Sequence, residues 1–380
     1  MARRLCDAAL IAGLGAAMVW LADVEITAIV GEHGIGSDFA GTIYYPAVAV
    51  VHGLSPYGYP GTPTHLAGSV YPPSAFVSFA WLGLMGHSAA VAVWITLMVA
   101  AAVATLYLLG VRDPRCYALW LLNPMALSTI AIGNATILVI LLVAVAWRWR
   151  DSPWVTGLAL AAAVAVKFFV APLVIWMLAT KRYKAAAVTT LTVPVAVLTA
   201  WATVGFSGIT RYPSILSMND SIFSSNGPFL QGFVLQEHGS SHEALAAGIV
   251  AAFVLLIGAW FVGDLGGFTL AICASIILAP VAWIGYAGLL VIPLAVASRR
   301  FSLLWLLLLG TYIHWYDSPI PYKSAELSAL TLTLMAAIAV AVLWKARRSD
   351  DCEMSRTRRS GYGLVPSRIR GRGPLIDTHR

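Results

Sequence analysis

The sequence predicts an all-α polytopic membrane protein, and both its composition and its succession of apolar segments indicate this class. Of the 380 residues, 59% are hydrophobic and only 11% are charged, and the mean hydropathy is +0.81. Soluble domains are about a quarter charged. A soluble fold of this length could not bury so much apolar surface, so an ordinary cytosolic enzyme is excluded. A disordered chain, a collagen and a disulfide scaffold are excluded by the same figures.

Eleven stretches are candidate membrane crossings, because a spanning helix needs about 20 apolar residues. Two of them are too long for one crossing, and each is consistent with a pair of short helices. The first is interrupted at Asn123-Pro124 and Gly133-Asn134, and the second at Lys167 and Pro172. The stretches are residues 5–22, 69–86, 88–110, 117–147, 154–180, 185–204, 243–262, 266–281, 283–298, 301–315 and 326–344.

The basic residues between these stretches predict the orientation, because cytoplasmic loops carry an excess of Lys and Arg. Both termini are then cytoplasmic, and counting 154–180 as two crossings puts Lys167 near the outer end of a hairpin. This count leaves Arg112 and Arg115 outside, against the rule. The extracytoplasmic loops are then residues 23–68, 205–242 and 316–325. The basic groups read as cytoplasmic are Arg3-Arg4, Arg148 with Arg150, Lys181-Arg182-Lys184, Arg299-Arg300 and Lys345–Arg348.

Two domains are predicted, a membrane-embedded domain over residues 1–344 and a basic, disordered cytoplasmic tail over residues 345–380. The tail suits an anionic membrane surface. It lacks the aromatic interleaving and fold signature of a nucleic-acid-binding segment, so no nucleic-acid partner is predicted. Residues 1–22 resemble a signal peptide without a cleavage site and are read as a retained helix. The four cysteines are scattered and show no metal or redox spacing: Cys6, Cys116, Cys273 and Cys352.

The first outer loop holds Asp38, which precedes an apolar run with helical spacing. This run predicts a helix along the membrane surface. Asp38 is placed either to cap that helix or to act as an acid or base in catalysis. The residues alone leave both roles open. The apolar positions of the run are Phe39, Ile43, Val48, Val51 and Leu54.

Other polar residues could bind a phosphate or a sugar. Lys167 is nearly the only charge at membrane depth, and it either binds an anionic ligand or extends its ammonium group to the interface. The 205–242 loop offers Arg211, Asn226 and Gln231, whose guanidinium and amide groups suit phosphate and sugar hydroxyls. The last outer loop holds His314 and Lys323 among aromatic residues. That composition suits a carbohydrate or lipid-headgroup site, and equally an aromatic belt at the membrane interface.

The order of these features resembles the polyprenyl-phosphate-dependent glycosyltransferases of GT-C type, in particular the actinobacterial membrane enzymes of glycosyltransferase family 87. The resemblance covers roughly residues 1–344, and it implies a GT-C-like bundle of about 11–13 transmembrane helices with extracytoplasmic loops and surface helices. The motifs that carry it are Asp38, Tyr44-Tyr45, Gly53, Ser55-Pro56-Tyr57, Tyr71-Pro72-Pro73, Gly133-Asn134, Lys167 with Pro172, Asn226 with Gln231, and Ala279-Pro280-Val281-Ala282-Trp283.

The resemblance implies an inverting mannosyltransferase of lipoglycan synthesis that uses a polyprenyl-phosphate sugar donor outside the cytoplasmic membrane. Its acceptor would be a lipid-linked or cell-envelope glycan, and Asp38 would be the general base. No cofactor is implied, and dependence on a divalent metal is left open. The family pattern has a His after Trp283, whereas this chain has Gly285. The candidate donor-binding residues are Lys167, Arg211, Tyr71, Asn134, Asn226, Gln231, Tyr286, His314 and Lys323.

Two other functions compete with this reading. A transporter or flippase of lipid-linked sugars would show charged pairs near the bilayer midplane and broken helices in matched halves. Here the polar residues are concentrated in loops on one side, which favours chemistry at a surface. A non-catalytic relative that binds lipid-linked sugar is the third possibility, because Gly285 replaces the expected His.

Overall fold

All regular elements in the described part of the chain are helical, which confirms the all-α prediction. The computed structural model describes residues 34–57, 70–279, 281, 283–310 and 325–360, with a few residues between 15 and 31. The helix α1 consists of three consecutive pieces, Ser37–Phe39, the π-helical turn Ala40–Tyr44, and Tyr45–Val51. The others are α2 Pro73–Val77, α3 His87–Leu108, α4 Pro114–Leu121, α5 Pro124–Ala131, α6 Thr136–Arg148, α7 Pro153–Val166, α8 Leu173–Ala179, α9 Tyr183–Thr203, α10 Tyr212–Phe223, α11 Leu230–Gln236, α12 Ser241–Gly258, α13 Gly263–Leu278, α14 Val291–Ala297, α15 Leu303–Leu306 and α16 Ala325–Ser360.

Four helices are long and apolar enough to cross a membrane, namely α3, α9, α12 and residues Ser328–Arg348 of α16. On α12, Phe253 and Val250 are each 63% exposed, and their apolar neighbours on the helix are exposed too. Soluble proteins rarely present such a continuous apolar face to water. These helices therefore face lipid, and the chain is a polytopic membrane protein.

The shorter helices join two opposite ends of the bundle. α7 ends at Lys167, and the chain returns through a 3-10 turn, Phe168–Val170, and α8. Arg182 then donates from Nε to the carbonyl oxygen of Arg150, at 3.0 Å, so the start and the end of this hairpin lie side by side. The 14 residues of α7 span about 21 Å. We call the end with Arg148, Arg150, Arg182 and Asp264 the basic end, and the end with Asp38, Asn134, Lys167 and Tyr286 the site end.

Residues 117–147 cross the bundle twice, as a pair of short crossings separated at Gly133-Asn134, whereas the predicted orientation treated them as one crossing. Pro114 and Pro124 each begin a new helix, and the chain turns again at Gly133. At that turn Trp94 Nε1 donates to the Gly133 carbonyl oxygen at 2.7 Å, which ties the beginning of α3 to the beginning of α6. α3 and α6 then run side by side to the basic end.

The position of Arg112 and Arg115 follows from this second crossing. The Asp113 carboxylate accepts a bond from the backbone N–H of Phe301 at 3.1 Å, and the Arg115 guanidinium lies 4.7 Å from the Phe301 ring centroid. This loop therefore lies at the basic end, beside Arg299. The two arginines violated the charge rule because hydropathy alone merged two short crossings into one segment.

The last helix, α16, runs from Ala325 to Ser360 and passes the predicted domain boundary at residue 344 without a break. The sequence explains this, because neither Gly nor Pro occurs between Ala325 and Ser360, and Gly361 follows. The first part of the predicted tail thus continues the helix. Residues 361–380 lie outside the described part of the chain.

Candidate active site

Five of the ten predicted site residues lie together at the site end: Asp38, Tyr71, Asn134, Lys167 and Tyr286. We call this group the Lys167 cluster. Lys167 is only 7% exposed, and its backbone is extended where α7 stops. Its Nζ donates to Asn134 Oδ1 at 2.8 Å and lies 3.4 Å from the Tyr286 hydroxyl. The ammonium group is therefore turned into the bundle, and the alternative in which it extends to the interface is wrong.

Two tyrosine rings enclose the lysine. The Lys167 Nζ lies 4.9 Å from the Tyr71 ring centroid and 4.7 Å from that of Tyr286, which are favourable distances for a cation over an aromatic face. Tyr71 is buried just before α2, and its carbonyl oxygen accepts a bond from the Tyr57 hydroxyl at 2.9 Å. On the other side, Tyr286 stacks on Phe169 with the ring centroids 4.2 Å apart.

Backbone hydrogen bonds hold Asp38 next to Asn134. The N–H groups of Gly36 and Asp38 donate to the carbonyl oxygens of Ala131 and Ile132, at 2.8 and 2.9 Å. These bonds fasten the beginning of α1 to the end of α5. The turn that follows needs Gly133, because its φ is +74° and a Cβ there would lie 2.7 Å from the Phe39 Cβ. This turn places Asn134 directly beside Asp38.

The Asp38 carboxyl group is buried and has unused hydrogen-bonding capacity. Asp38 makes no capping bond, since Gly36 is the N-cap residue of its helix, so the capping alternative is wrong. Its Oδ2 atom is buried and has no hydrogen-bond partner within the described part of the chain. Burial raises the pKa of the carboxyl to about 6, against the opposing effects of the Lys167 charge and a hydrogen bond with the Asn134 side chain. A carboxyl with a pKa near neutrality and a free oxygen suits a general base.

The missing His is explained by packing. Gly285 is the second residue of the 3-10 turn Ile284–Leu290, just before Tyr286, and a Cβ on Gly285 would overlap the Thr129 hydroxyl oxygen. Thr129 is itself buried, and its hydroxyl donates to the Met125 carbonyl oxygen at 2.6 Å. The position expected for a His therefore has no room for any side chain, and α5 occupies the space.

The other predicted site residues have different positions. Gln231 is buried, and its Nε2 donates to the Ile277 carbonyl oxygen at 3.1 Å, which ties α11 to α13. Arg211 is exposed just before α10. Asn226 ends the 3-10 turn Ser224–Asn226. His314 and Lys323 lie outside the described part of the chain.

Sequence reasoning missed Thr136, which belongs to the Lys167 cluster by its contacts. Its hydroxyl oxygen accepts from Lys167 Nζ at 2.9 Å and its hydroxyl donates to Asn134 Oδ1 at 2.6 Å. The signal was present, because Asn134 stands two residues before Thr136 at the beginning of α6. This spacing is typical of an Asn that caps a helix and accepts from the backbone two residues later.

The basic end contains a second acid, half-buried, that does not resemble a reaction centre. Two cavities of about 270 and 210 Å³ adjoin Asp264. Its carboxylate accepts from Arg182 at 2.7 and 2.8 Å, from Arg150 at 2.9 Å and from Trp176 at 2.9 Å. Both oxygens are engaged, so Asp264 holds helices together. Within the described residues, no group of three or more His, Cys, Asp and Glu side chains could hold a metal ion.

Comparison with known proteins assigns the family. The model of glycosyltransferase family 87 matches residues 70–265, a range that contains Tyr71, Asn134 and Lys167 and leaves out Asp38 and Tyr286. Neither a curated protein nor a solved structure matches the chain. The family match covers more than half of the sequence and agrees with the resemblance that the motifs indicated. The chain therefore belongs to glycosyltransferase family 87, and it is a membrane glycosyltransferase.

Proposed function

We propose that this enzyme transfers a sugar, with inversion, from a polyprenyl-phosphate donor to a lipid-linked or cell-envelope glycan acceptor. Asp38 is the general base, and Lys167 stabilises the phosphate of the leaving group. The observation that carries the proposal is the Asp38 Oδ2 atom, which is buried, lacks a hydrogen-bond partner within the described residues, and lies in one cluster with a buried lysine.

The reaction balances with these two groups. The acceptor hydroxyl gives its proton to Asp38 Oδ2 while its oxygen attacks the anomeric carbon. The bond between that carbon and the phosphate oxygen breaks, and its electron pair leaves with the polyprenyl phosphate. Inversion needs one base, and a phosphate leaving group needs a cation more than an acid. No cofactor enters this step.

Lys167 has one N–H group that a donor phosphate could take over. Its contacts to Asn134 and Thr136 are 2.8 and 2.9 Å long, whereas its contact to the Tyr286 hydroxyl is 3.4 Å. The longest contact is the weakest. A phosphate oxygen would replace the Tyr286 hydroxyl and gain a charge-assisted bond. Arg211, exposed in the 205–242 loop, would meet the donor or the acceptor further out.

The reaction takes place on the extracytoplasmic face in this proposal. The basic end gathers Arg148, Arg150, Lys181 and Arg182, and such residues are enriched on the cytoplasmic side of membrane proteins. Arg112 and Arg115 now agree with that assignment as well. The site end then faces outward, and both termini are cytoplasmic. The donor sugar is mannose, and the acceptor is a lipoglycan precursor of the cell envelope.

Transfer measured in membranes tests the proposal. Wild type and Asp38→Asn are expressed in a transferase-deficient actinobacterial host and supplied with labelled polyprenyl-phosphate mannose. We expect incorporation with the wild type and a loss of at least about 100-fold with the variant at equal protein abundance. If only the corresponding arabinofuranose lipid supports incorporation, mannose is wrong as the donor sugar, whereas the proposed mechanism stands. An active Asp38→Asn enzyme would overturn Asp38 as the base.

A further inference from the structure

We propose that Asn134 is a positioning residue that holds one oxygen of the Asp38 carboxylate and leaves the other free to accept the proton. Asn134 is the side chain that acts as a hydrogen-bond donor toward the Asp38 carboxyl group, and because Oδ2 has no partner within the described residues, we assign this bond to Oδ1. This inference rests on the proposed function, since it assigns a role to Asn134 in the step that Asp38 performs.

The orientation of the Asn134 amide is fixed by its neighbours. Its Oδ1 atom receives the backbone N–H of Thr136 at 3.0 Å and the Lys167 ammonium at 2.8 Å. Both of these groups can only donate, so the atom that they contact must be the amide oxygen. The amide NH₂ group therefore points the other way, toward Asp38. A flipped amide would place two donors against NH₂ and its carbonyl against a carboxylate.

This orientation has consequences for the base. An N–H donor favours the charged form of the carboxylate, and Lys167 polarises the amide from the other side. The groups that act electrostatically on Asp38 from the packed elements are Lys167 at the end of α7, Tyr71 before α2 and Tyr286 in the 3-10 turn. Asn134 is the neutral link between the single cation of this group and the carboxylate.

Backbone hydrogen bonds fix the segment with Asn134 against the segment with Asp38. The N–H groups of Asp38 and Phe39 both donate to the Ile132 carbonyl oxygen, at 2.9 and 3.1 Å, two residues before Asn134. Gly133 has positive φ and lies against Phe39, so the turn has little freedom. The amide is therefore held at a constant position relative to the carboxylate, which is what a positioning residue requires.

The test is the pH profile of sugar transfer by the full-length enzyme. Asn134→Asp keeps the oxygen that accepts from Lys167 and Thr136 and removes the donor to Asp38. Asn134→Leu removes both. We expect the acid limb of the profile to move up by about one pH unit in Asn134→Leu, and by at least as much in Asn134→Asp, where a second carboxylate is added. If Asn134→Leu fails to fold, Asn134→Ala, which also removes the donor and adds no charge, decides in its place.

Asn123→Leu is the matched control. Asn123 is also fully buried and begins α5 in the same way, with Oδ1 accepting from the Met125 N–H at 2.9 Å and Nδ2 donating to the Leu308 carbonyl oxygen at 2.6 Å. Its loss should lower stability and leave the acid limb in place. The donor phosphodiester stays ionised across this range, so a moving limb reports the enzyme.

The outcomes separate this inference from the proposed function. If Asp38→Asn is inactive and the acid limb stays in place in Asn134→Leu, Asp38 is the base and the positioning role of Asn134 is overturned. If Asp38→Asn retains transfer, the proposed function itself fails. A limb that moves equally in Asn123→Leu would show a general loss of structure and would also overturn the inference.

Discussion

The two ends of the helical bundle are built from the same ingredients and differ in how completely these are paired. Each end has a carboxylate, a basic side chain and aromatic rings. At the basic end, Asp264 uses both oxygens on Arg150, Arg182 and Trp176. At the site end, Asp38 keeps one buried oxygen without a partner within the described part of the chain.

Under the proposed function, this difference separates a structural charge cluster from a reactive one. A buried polar atom without a partner costs free energy, so it persists where function requires it. A fully bonded carboxylate cannot accept a proton from a substrate without breaking its own contacts. The presence of a buried acid is therefore uninformative by itself, and its unused bonding capacity is what indicates chemistry.

After Asp38→Asn, the largest effect is expected from Lys167→Met, which removes the cation and keeps the length of the side chain. The leaving phosphate loses its charge-assisted bond, so we expect transfer to fall by about 100-fold. The measurement is the rate of transfer as a function of donor concentration. Lys184→Met is the control, because Lys184 is exposed and near the basic end. Full activity of Lys167→Met would remove the lysine from the site.

Asp264→Asn and Asp38→Asn should change stability in opposite directions. Asp264→Asn removes the carboxylate that Arg150 and Arg182 share, and Arg182 keeps only its longer ion pair with Asp151, at 3.7 Å. We expect the free energy of unfolding to fall by about 2 kcal/mol, a reduced figure because Asp264 is partly exposed. Asp38→Asn should melt at the same or a higher temperature, since it removes a buried charge. Thermal unfolding of the detergent-solubilised proteins measures both. Asp151→Asn is the control for Asp264, because Asp151 pairs with the same Arg182 at 3.7 Å but its side chain is 86% exposed, so its loss should cost little.

Gly285→Ala should destabilise the protein by about 1–3 kcal/mol, because its Cβ overlaps the Thr129 hydroxyl. Adding Thr129→Ala removes that hydroxyl and should recover most of the loss. Gly288→Ala is the matched control, since its Cβ would meet Ile140 and Trp120 and gains nothing from Thr129→Ala. Equal losses with and without Thr129→Ala would show that this packing does not explain the missing His.

The sequence predicted the fold class and much of the Lys167 cluster, for physical reasons that can be named. Composition alone identified a membrane protein. Lys167 stood out because a charge within an apolar segment is costly and rare. Asp38, Tyr71, Asn134 and Tyr286 came from motifs that a family resemblance supplied, and the structure brings them together with Lys167.

The features that escaped prediction depend on contacts between distant parts of the chain. Neither the bond between Lys167 and Asn134 nor the contact between Gly285 and Thr129 can be read from spacing along one helix. Gln231 is polar in a loop that suits sugar binding, yet its amide serves packing. The sequence allowed a double crossing at residues 117–147, through the breaks at Asn123-Pro124 and Gly133-Asn134, but the orientation was predicted with one crossing there, because a break in an apolar segment does not show whether the chain reverses.

The smallest expected effect is the dependence of transfer and of stability on pH, and it gives the finest contrast between the two ends. The pKa of Asp38 is raised from 3.8 to about 6. The ionised fraction of the base therefore falls to about half at pH 6 and to about a tenth at pH 5, and the rate of transfer should fall with it.

Stability should respond to pH in the opposite direction. The folded state binds this proton more tightly than the unfolded state, so acidification through pH 6 stabilises the fold. Thermal unfolding at pH 5 and 7 should show this gain in the wild type and lose it in Asp38→Asn. Asp113→Asn is the control variant in this measurement. Hydrogen bonds to Arg115 hold the pKa of Asp113 well below its usual range, so this carboxyl does not titrate between pH 5 and 7.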